Sequence, residues 1–479
     1  MPKSQFIGRK PELDRLMVLY KKKTPELAVV KGRRRIGKSR LIGEFARLAG
    51  AETFWSFAGL APEEGISAQT QRDHFARQLA LALKIPPIAF QDWSDAFEYL
   101  SLQLKPGNII LFDEISWMAS KDPSFIPKLK AWWDKQTFPI LLVFCGSVST
   151  WIEENILNST AFFGRINLTI SLEAFSISES AAFLKKLGMK LSHYETYKIL
   201  SVVGGVPWYL EQFSDSLTAD ENIKQLAFVK NGLLVVEFDR IFHDLFQGKG
   251  TSYKSILDSL KDGARTLSEI RQNIEFAHSG TLSRMMDHLI VAGFVSKQSL
   301  WSFQTTKPLK QSLYRISDPY LRFYFKLIEP NLAAISDDAF DELPISTIQG
   351  LDTHMGLQLE VLLQQNRKLI FQKLGISPAD VVRQGPYRQP KNSSQPGCQI
   401  DYLVQTKTNS LYICEFKFKR REIQSEIITE MQEKTSRLKT PKGFAKVAVL
   451  FHLGGVASSV ATNSYFYRIV DIADFLDNI

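Results

Sequence analysis

Gly32-Arg33-Arg34-Arg35-Ile36-Gly37-Lys38-Ser39 sets two glycines five positions apart and follows them with lysine and serine. At that spacing, backbone N–H groups turn inward toward phosphate oxygens. Lys38 is then placed to reach the outer phosphates and Ser39 to ligate a magnesium ion. A helix starting here adds the positive end of its dipole. Arg40 follows directly, so Gly32 to Arg40 form the candidate ATP-binding stretch. The inner members of the triple arginine, Arg33 to Arg35, read either as solvated or as a basic collar.

A second group of residues fits the same chemistry. Asn108-Ile109-Ile110-Leu111-Phe112-Asp113-Glu114 runs from four apolar residues into two carboxylates. Beside a phosphate loop, Asp113 holds the metal and Glu114 polarises the attacking water as a general base. Pro139 to Cys145 end in Gly146-Ser147, where Ser147 reads as a sensor of the terminal phosphate or as a plain turn residue. Arg165, in Phe162-Phe163-Gly164-Arg165, reads as a surface arginine or as a group that neutralises charge on the transferred phosphoryl.

A third group lies far along the chain. Glu415 and Lys417 are two apart in Leu411-Tyr412-Ile413-Cys414-Glu415-Phe416-Lys417-Phe418, so on a strand they share a face. Asp401 lies on the preceding strand of the expected hairpin. Two carboxylates and a lysine on one face suit a divalent metal and an activated water, with Lys417 stabilising charge. The same alternation also describes any solvent-facing strand. Lys419, Arg420, Arg421 and Arg437 nearby suit phosphate-backbone contacts.

These residues must be carried by elements. A chain of 479 residues is too long for one core and suggests about three domains. Leu27 to Val30 read as a strand before the loop, and Arg40 to Ala46 as a helix after it. Phe6 to Leu16 enter a helix with Pro11 in its first turn. Residues 172–245 are helical by pattern, with Ser178 as the expected N-cap of one helix and a stop at Gly204-Gly205. Gln247 to Thr251 read as a linker. Helices then follow from Tyr253, Thr266 and Ser279, the second with a Thr266–Glu269 capping box, before two short strands near Phe294 and Leu313. Beyond them come a helix from His354 to Leu369 bearing Glu360, a short strand at Val381-Val382 and the hairpin. A helix from Glu422 to Arg437 and a strand at Val447 to Phe451 complete the unit.

Composition narrows the function classes. The net charge of +9 favours a polyanionic partner, or a basic surface on a nucleotide enzyme. No apolar run approaches bilayer-spanning length, and the N-terminus leads directly into a motif, so no membrane partner and a cytoplasmic location are expected. Cys145, Cys398 and Cys414 have no metal-binding spacing and read as reduced core residues.

The order Phe-Ile-Gly-Arg, phosphate loop, Asp113-Glu114, Gly146-Ser147, Phe-Gly-Arg and Gly204-Gly205-Val206-Pro207 resembles the archaeal and bacterial P-loop ATPase family, an AAA-related, signal-transducing branch. The resemblance covers about the first half of the chain. It implies that Arg165 contacts a nucleotide and that the Gly-Gly-Val-Pro turn belongs to a lid near the phosphates. The C-terminal order of helix, strand, hairpin, helix and strand resembles the PD-(D/E)xK nuclease fold. Glu360, Asp401 and Glu415 then stand at its metal positions and Lys417 at its lysine position, although Ile400 replaces the proline usual before the aspartate. The expected fold is therefore α/β, with four parts. A P-loop parallel-sheet core (1–171) is followed by a helical lid (172–245), a winged-helix domain (246–330) and a nuclease-like α/β domain (331–479). The expected activity is ATP hydrolysis with magnesium, coupled to DNA binding or metal-dependent DNA cleavage. The alternative is an ATP-gated switch or scaffold whose C-terminal fold only binds. The expected partners are ATP and DNA, with homo-oligomerisation.

Overall fold

The computed structural model describes every residue except 1–5, 62, 64, 148, 247–249, 275–278, 300–310, 390, 392, 394, 478 and 479. Gln247, Gly248 and Lys249 of the expected linker lie outside the described residues. The chain divides into two compact units. One comprises Met1–Ala174 with Ile241–Gly250 and Arg284–Gly293, and the other comprises Phe175–Arg240, Thr251–Ser283 and Phe294–Ile479.

The first unit is built on five strands: β1 (Glu26–Lys31), β2 (Phe54–Ala58), β3 (Ile109–Asp113), β4 (Leu141–Gly146) and β5 (Leu168–Ser171). All pair in parallel, in the order β2-β3-β4-β1-β5. Parallel strands covered on both faces read as continuous apolar runs, and β4 is buried at all six positions. One face packs Phe57, Phe75, Trp93, Phe97, Phe112 and Trp132 in offset and edge-on pairs. The strands thereby fix where their C-terminal ends, and the polar residues on them, emerge.

The second unit begins with the helical lid, comprising Ile177–Lys186, His193–Val203, Pro207–Leu210 and Ala219–Ala227. The first helix is capped by Ser176, not Ser178 as expected. Ser176 and Glu179 form a reciprocal capping box, and Ser178 is buried inside the first turn. The second helix stops at Gly204, whose φ is 62°. Helices Gly250–Ser259 and Leu267–Asn273 follow, the expected Thr266–Glu269 box capping the latter, and next in sequence comes helix Ser279–Val291, whose residues from Arg284 onward belong to the first unit. An antiparallel sheet closes this segment with β6 (Arg265–Thr266), β8 (Ser312–Ile316) and β7 (Val295–Ser299), in that order across the sheet.

The C-terminal sheet is mixed. It contains β9 (Val381–Gln389), β10 (Cys398–Thr406), β11 (Ser410–Phe418), β12 (Ala445–Leu453) and β13 (Arg468–Asp471), with the order β13-β12-β11-β10-β9. β9, β10 and β11 are antiparallel, whereas β11, β12 and β13 are parallel. Helix Glu426–Arg437 covers one face through Ile427 and Met431.

Three expectations here are corrected. The helix expected from His354 to Leu369 is two helices, Leu351–Gln365 and Arg367–Leu374, broken at Asn366. On the first of these helices Met355, Leu359, Val361, Leu362 and Leu363 supply the buried face, and Leu357 is exposed. The two-residue strand at Val381-Val382 extends over nine residues, carried past Pro386 by a register shift against β10. The helix expected from Glu422 starts at Glu426, since Ile423 is buried in a parallel bridge to Val456.

Candidate functional sites

In the first unit, β1 delivers the chain to Gly32 and helix Lys38–Leu48 leaves from Gly37. Gly32 adopts a φ of 153°, and a Cβ there would lie 2.6 Å from the Leu172 carbonyl oxygen. Gly37 has a φ of 91° as the residue before the helix. Both conformations disfavour any residue with a side chain. Lys38 is buried, and its Nζ donates to the Gly32 and Arg33 carbonyls at 3.1 and 3.2 Å. Ile36 is buried beneath the loop, whereas Ser39 and Arg40 are exposed at the helix start. Arg9, known from sequence only as part of a landmark, is also buried and donates to the Glu173 carbonyl at 2.7 Å.

The strand ends complete the arrangement. Ser39 Oγ donates to Asp113 Oδ2 at 2.5 Å. Glu114 sits in the left-handed region at φ 49°, a costly conformation for a residue with a side chain. It aims its carboxylate at the end of the neighbouring β4, where Glu114 Oε2 accepts from both the amide and the hydroxyl of Ser147 at 2.9 Å. Four residues separated by up to 108 positions are thus joined as two pairs, Ser39–Asp113 and Glu114–Ser147. Arg165 is engaged elsewhere. Its guanidinium makes a two-pronged contact with Asp134, at 2.6 and 3.1 Å, on the exposed surface. A serine hydroxyl beside a carboxylate at the end of a phosphate loop fits a magnesium–nucleotide complex in donor chemistry.

The C-terminal sheet gathers a different set. Glu415 is buried on β11, and its two oxygens accept from Lys434 Nζ at 2.7 and 2.6 Å. Lys417 Nζ lies 2.8 Å from Glu415 and 2.9 Å from Glu430. Asp401 Oδ2 accepts the Phe416 amide at 3.0 Å across the hairpin. Burial, then the charges of Asp401 and Glu415, push the Glu360 carboxyl up to about 7. Burial raises Asp401 and Glu415 as well. A cleft lined by Gly397, Cys398, Gln399, Asp401, Lys434 and Arg437 opens beside the cluster.

Among the described residues, no group of three His, Cys, Asp or Glu side chains is arranged to hold a metal ion. In this geometry the Glu415 carboxylate is taken up by ammonium groups from two elements, Lys417 of β11 and Lys434 of helix Glu426–Arg437. Lys434 and Glu430 were not singled out from the sequence. Ile427, Met431 and Lys434 follow an i, i+4, i+7 stripe, which marks the face a helix turns toward its sheet but not the carboxylate that Lys434 meets there. Cys145, Cys398 and Cys414 are free and buried. Among the described residues, no helix is long and apolar enough to cross a membrane.

Comparison with known proteins bears on the first of these sites. Residues 6–213 match a family model described as an ATPase domain predominantly from Archaea. An uncharacterised protein of Methanocaldococcus jannaschii is 28% identical over 343 residues, covering 70% of this chain and 72% of its own. The Walker-type ATPase of Pyrococcus abyssi superposes with a TM-score of 0.50 at 16% identity, over 68% of this chain and 97% of that one. The likeness at that identity is one of fold. Residues 6–213 are accordingly similar to an ATPase domain found predominantly in Archaea.

Proposed function

We propose that the protein is an ATP-driven switch whose C-terminal cleft binds nucleic acid, and that the lid carries the nucleotide signal to that cleft. The observation that supports it is the junction of lid and sheet. Tyr194 of the lid stacks on Phe418 of β11 at 4.7 Å and an interplanar angle of 8°, and Arg420 lies over the same tyrosine at 4.9 Å. Tyr197 OH donates to the Ile472 carbonyl at 2.6 Å, and Asn366 accepts the Ile177 amide at 3.0 Å. Phe418 is the neighbour of Lys417, so a lid that moves with nucleotide pulls on the strand bearing Glu415 and Lys417. Packed elements of this kind move as rigid pieces between discrete arrangements.

Ser39 and Asp113 are the residues that would hold magnesium, which when bound would neutralise charge on the phosphates. Lys38 exchanges its loop carbonyls for phosphate oxygens. Glu114, oriented by Ser147, takes the proton of the attacking water. Arg165 stabilises the developing charge only after leaving Asp134. The three helices and the β6–β8 sheet support a winged-helix reading of the middle segment, with Arg284 and His288 on its third helix. The mixed sheet supports a nuclease-like ancestry for the C-terminal domain, and the grip of Lys417 and Lys434 on Glu415 favours binding over metal-dependent cleavage.

The test is ATP hydrolysis with and without DNA, followed by a gel for strand breakage in magnesium. DNA changes the hydrolysis rate and remains intact in this reading. Equal rates with and without DNA contradict the coupling. Cleavage that disappears in Asp401→Ala while ATP hydrolysis persists reinstates the metal role of Asp401, Glu415 and Glu360.

A further inference from the structure

The carboxylate cluster has a second wall that none of the sequence motifs includes. Arg315 on β8 and Arg322 on helix Pro319–Phe323 both bring charge to Glu360 of helix Leu351–Gln365. Both arginines are half-buried. Arg315 donates to Gln364 Oε1, and Gln364 Nε2 donates in turn to the Asp401 carbonyl at 3.3 Å. The second arginine wall is thus tied to the hairpin that carries Asp401.

The hydrogen-bond accounting of this wall does not close. Lys417 and Lys434 are matched by Glu415 and Glu430 on the other side of the cluster. Arg315 Nε and Arg322 Nη1, by contrast, are buried donors with no hydrogen-bond partner among the described residues. Burying guanidinium charge without an acceptor is costly. Burial, then the charge of the neighbouring Arg315, together hold the Arg322 guanidinium down to about 10. Two neighbouring cations sharing Glu360 call for a further anion. A guanidinium fork matches the oxygens of a phosphate in spacing and planarity, which an ammonium does not.

We propose that Arg315 and Arg322 form a phosphate-binding subsite beside the carboxylate cluster, on the Glu360 side of Asp401, filled by a backbone or terminal phosphate of a nucleic-acid strand. The proposal rests on the nucleic-acid reading of the cleft given above and adds the preceding module's arginines to it. No metal is needed for this contact. The shared chemistry is a phosphate group, which a strand or free phosphate can supply.

The experiment uses the full chain carrying Lys38→Ala, so that the phosphate loop does not compete, in EDTA. Binding of a 5′-phosphorylated single-stranded oligonucleotide is followed by anisotropy over a range of salt, with inorganic phosphate as a separate arm by calorimetry. Arg315→Gln and Arg322→Gln each weaken binding about tenfold and lower the salt dependence by about 0.7 of a unit of log–log slope, one phosphate contact apiece. Arg315→Lys and Arg322→Lys keep the charge, lose the fork and fall between. Strand binding with no response in the phosphate arm assigns the subsite to nucleic acid. Phosphate binding that the arginine variants abolish, without strand binding, assigns it to free phosphate and overturns the strand assignment. Unchanged affinity and slope in variants with unaltered thermal unfolding overturn the subsite. Where a glutamine variant does not fold, the lysine variant decides, and unchanged strand affinity there overturns it equally. If Lys434→Ala weakens strand binding and the arginine variants do not, the cleft reading stands and this inference falls. If the parent chain binds neither ligand, both fall.

Discussion

The two polar centres of this chain solve opposite problems. The phosphate-loop site is made of short-range pairs at the ends of parallel strands, with Ser39 facing Asp113 and Glu114 facing Ser147. Its reactive groups are held by neutral hydroxyls and amides, which orient a carboxylate without cancelling its charge. The C-terminal centre holds Glu415 by charge instead, with Lys417 and Lys434 on its carboxylate, while two arginines bring charge to Glu360. Neutral orientation keeps a base available, whereas a salt-bridged carboxylate is already committed. In the proposed reading, the difference separates a site that turns over from one that holds its ligand.

The largest effect expected on that contrast is at Lys38. Lys38→Ala removes the buried cation of the loop, and ATP hydrolysis falls by on the order of a hundredfold or more, with nucleotide binding lost in calorimetry. Retained binding means that the loop is not the nucleotide site. Next comes Glu114→Gln, which keeps the contact to Ser147 and removes the base. Nucleotide binding persists while the turnover rate drops by about 10²-fold or more, as a single-turnover assay reads directly. Ser147→Ala frees the Glu114 carboxylate from one of its two donors and lowers turnover by about tenfold with little change in KM. A shift in KM alone would argue that Ser147 touches nucleotide without orienting Glu114.

The smallest expected effect sharpens the other side. Glu360 has its folded-state value raised to about 7 by burial and by Asp401 and Glu415. The folded chain therefore binds more protons at this group than the unfolded chain does between about pH 4.5 and 7. The resulting penalty is absent below that window, grows through it and is complete above it. Glu360→Gln removes it, so the variant gains on the order of 3 kcal/mol at pH 8 and almost nothing at pH 4, as read by thermal unfolding. Equal gains at both pH values would locate the effect in packing.

The legible part of this molecule is the part whose chemistry is local in sequence. Gly32 to Ser39 are contiguous, and Asp113, Glu114 and Ser147 each sit where an apolar strand ends, so strand patterning alone brought them together. The hairpin at β10 and β11 was legible for the same reason. Lys434 was not, because its partner Glu415 is 19 positions away on a different element, and a polar helix face looks alike whether it meets solvent or a carboxylate. Arg315 and Arg322 were hidden further, since their target lies on a helix of a later segment. The break at Asn366 and the Ser176 cap were missed where two local choices competed. At each of these positions the tertiary partner decided between them.

The central claim is that nucleotide and nucleic acid are felt by one another through the lid. The direct measurement is oligonucleotide affinity of the full chain in magnesium, without nucleotide and with a non-hydrolysable ATP analogue, repeated in the reverse order. The account predicts that the analogue changes oligonucleotide affinity, that the oligonucleotide changes analogue affinity by the same factor, and that Tyr194→Ala reduces that factor toward one. Two affinities that do not respond to each other would contradict it.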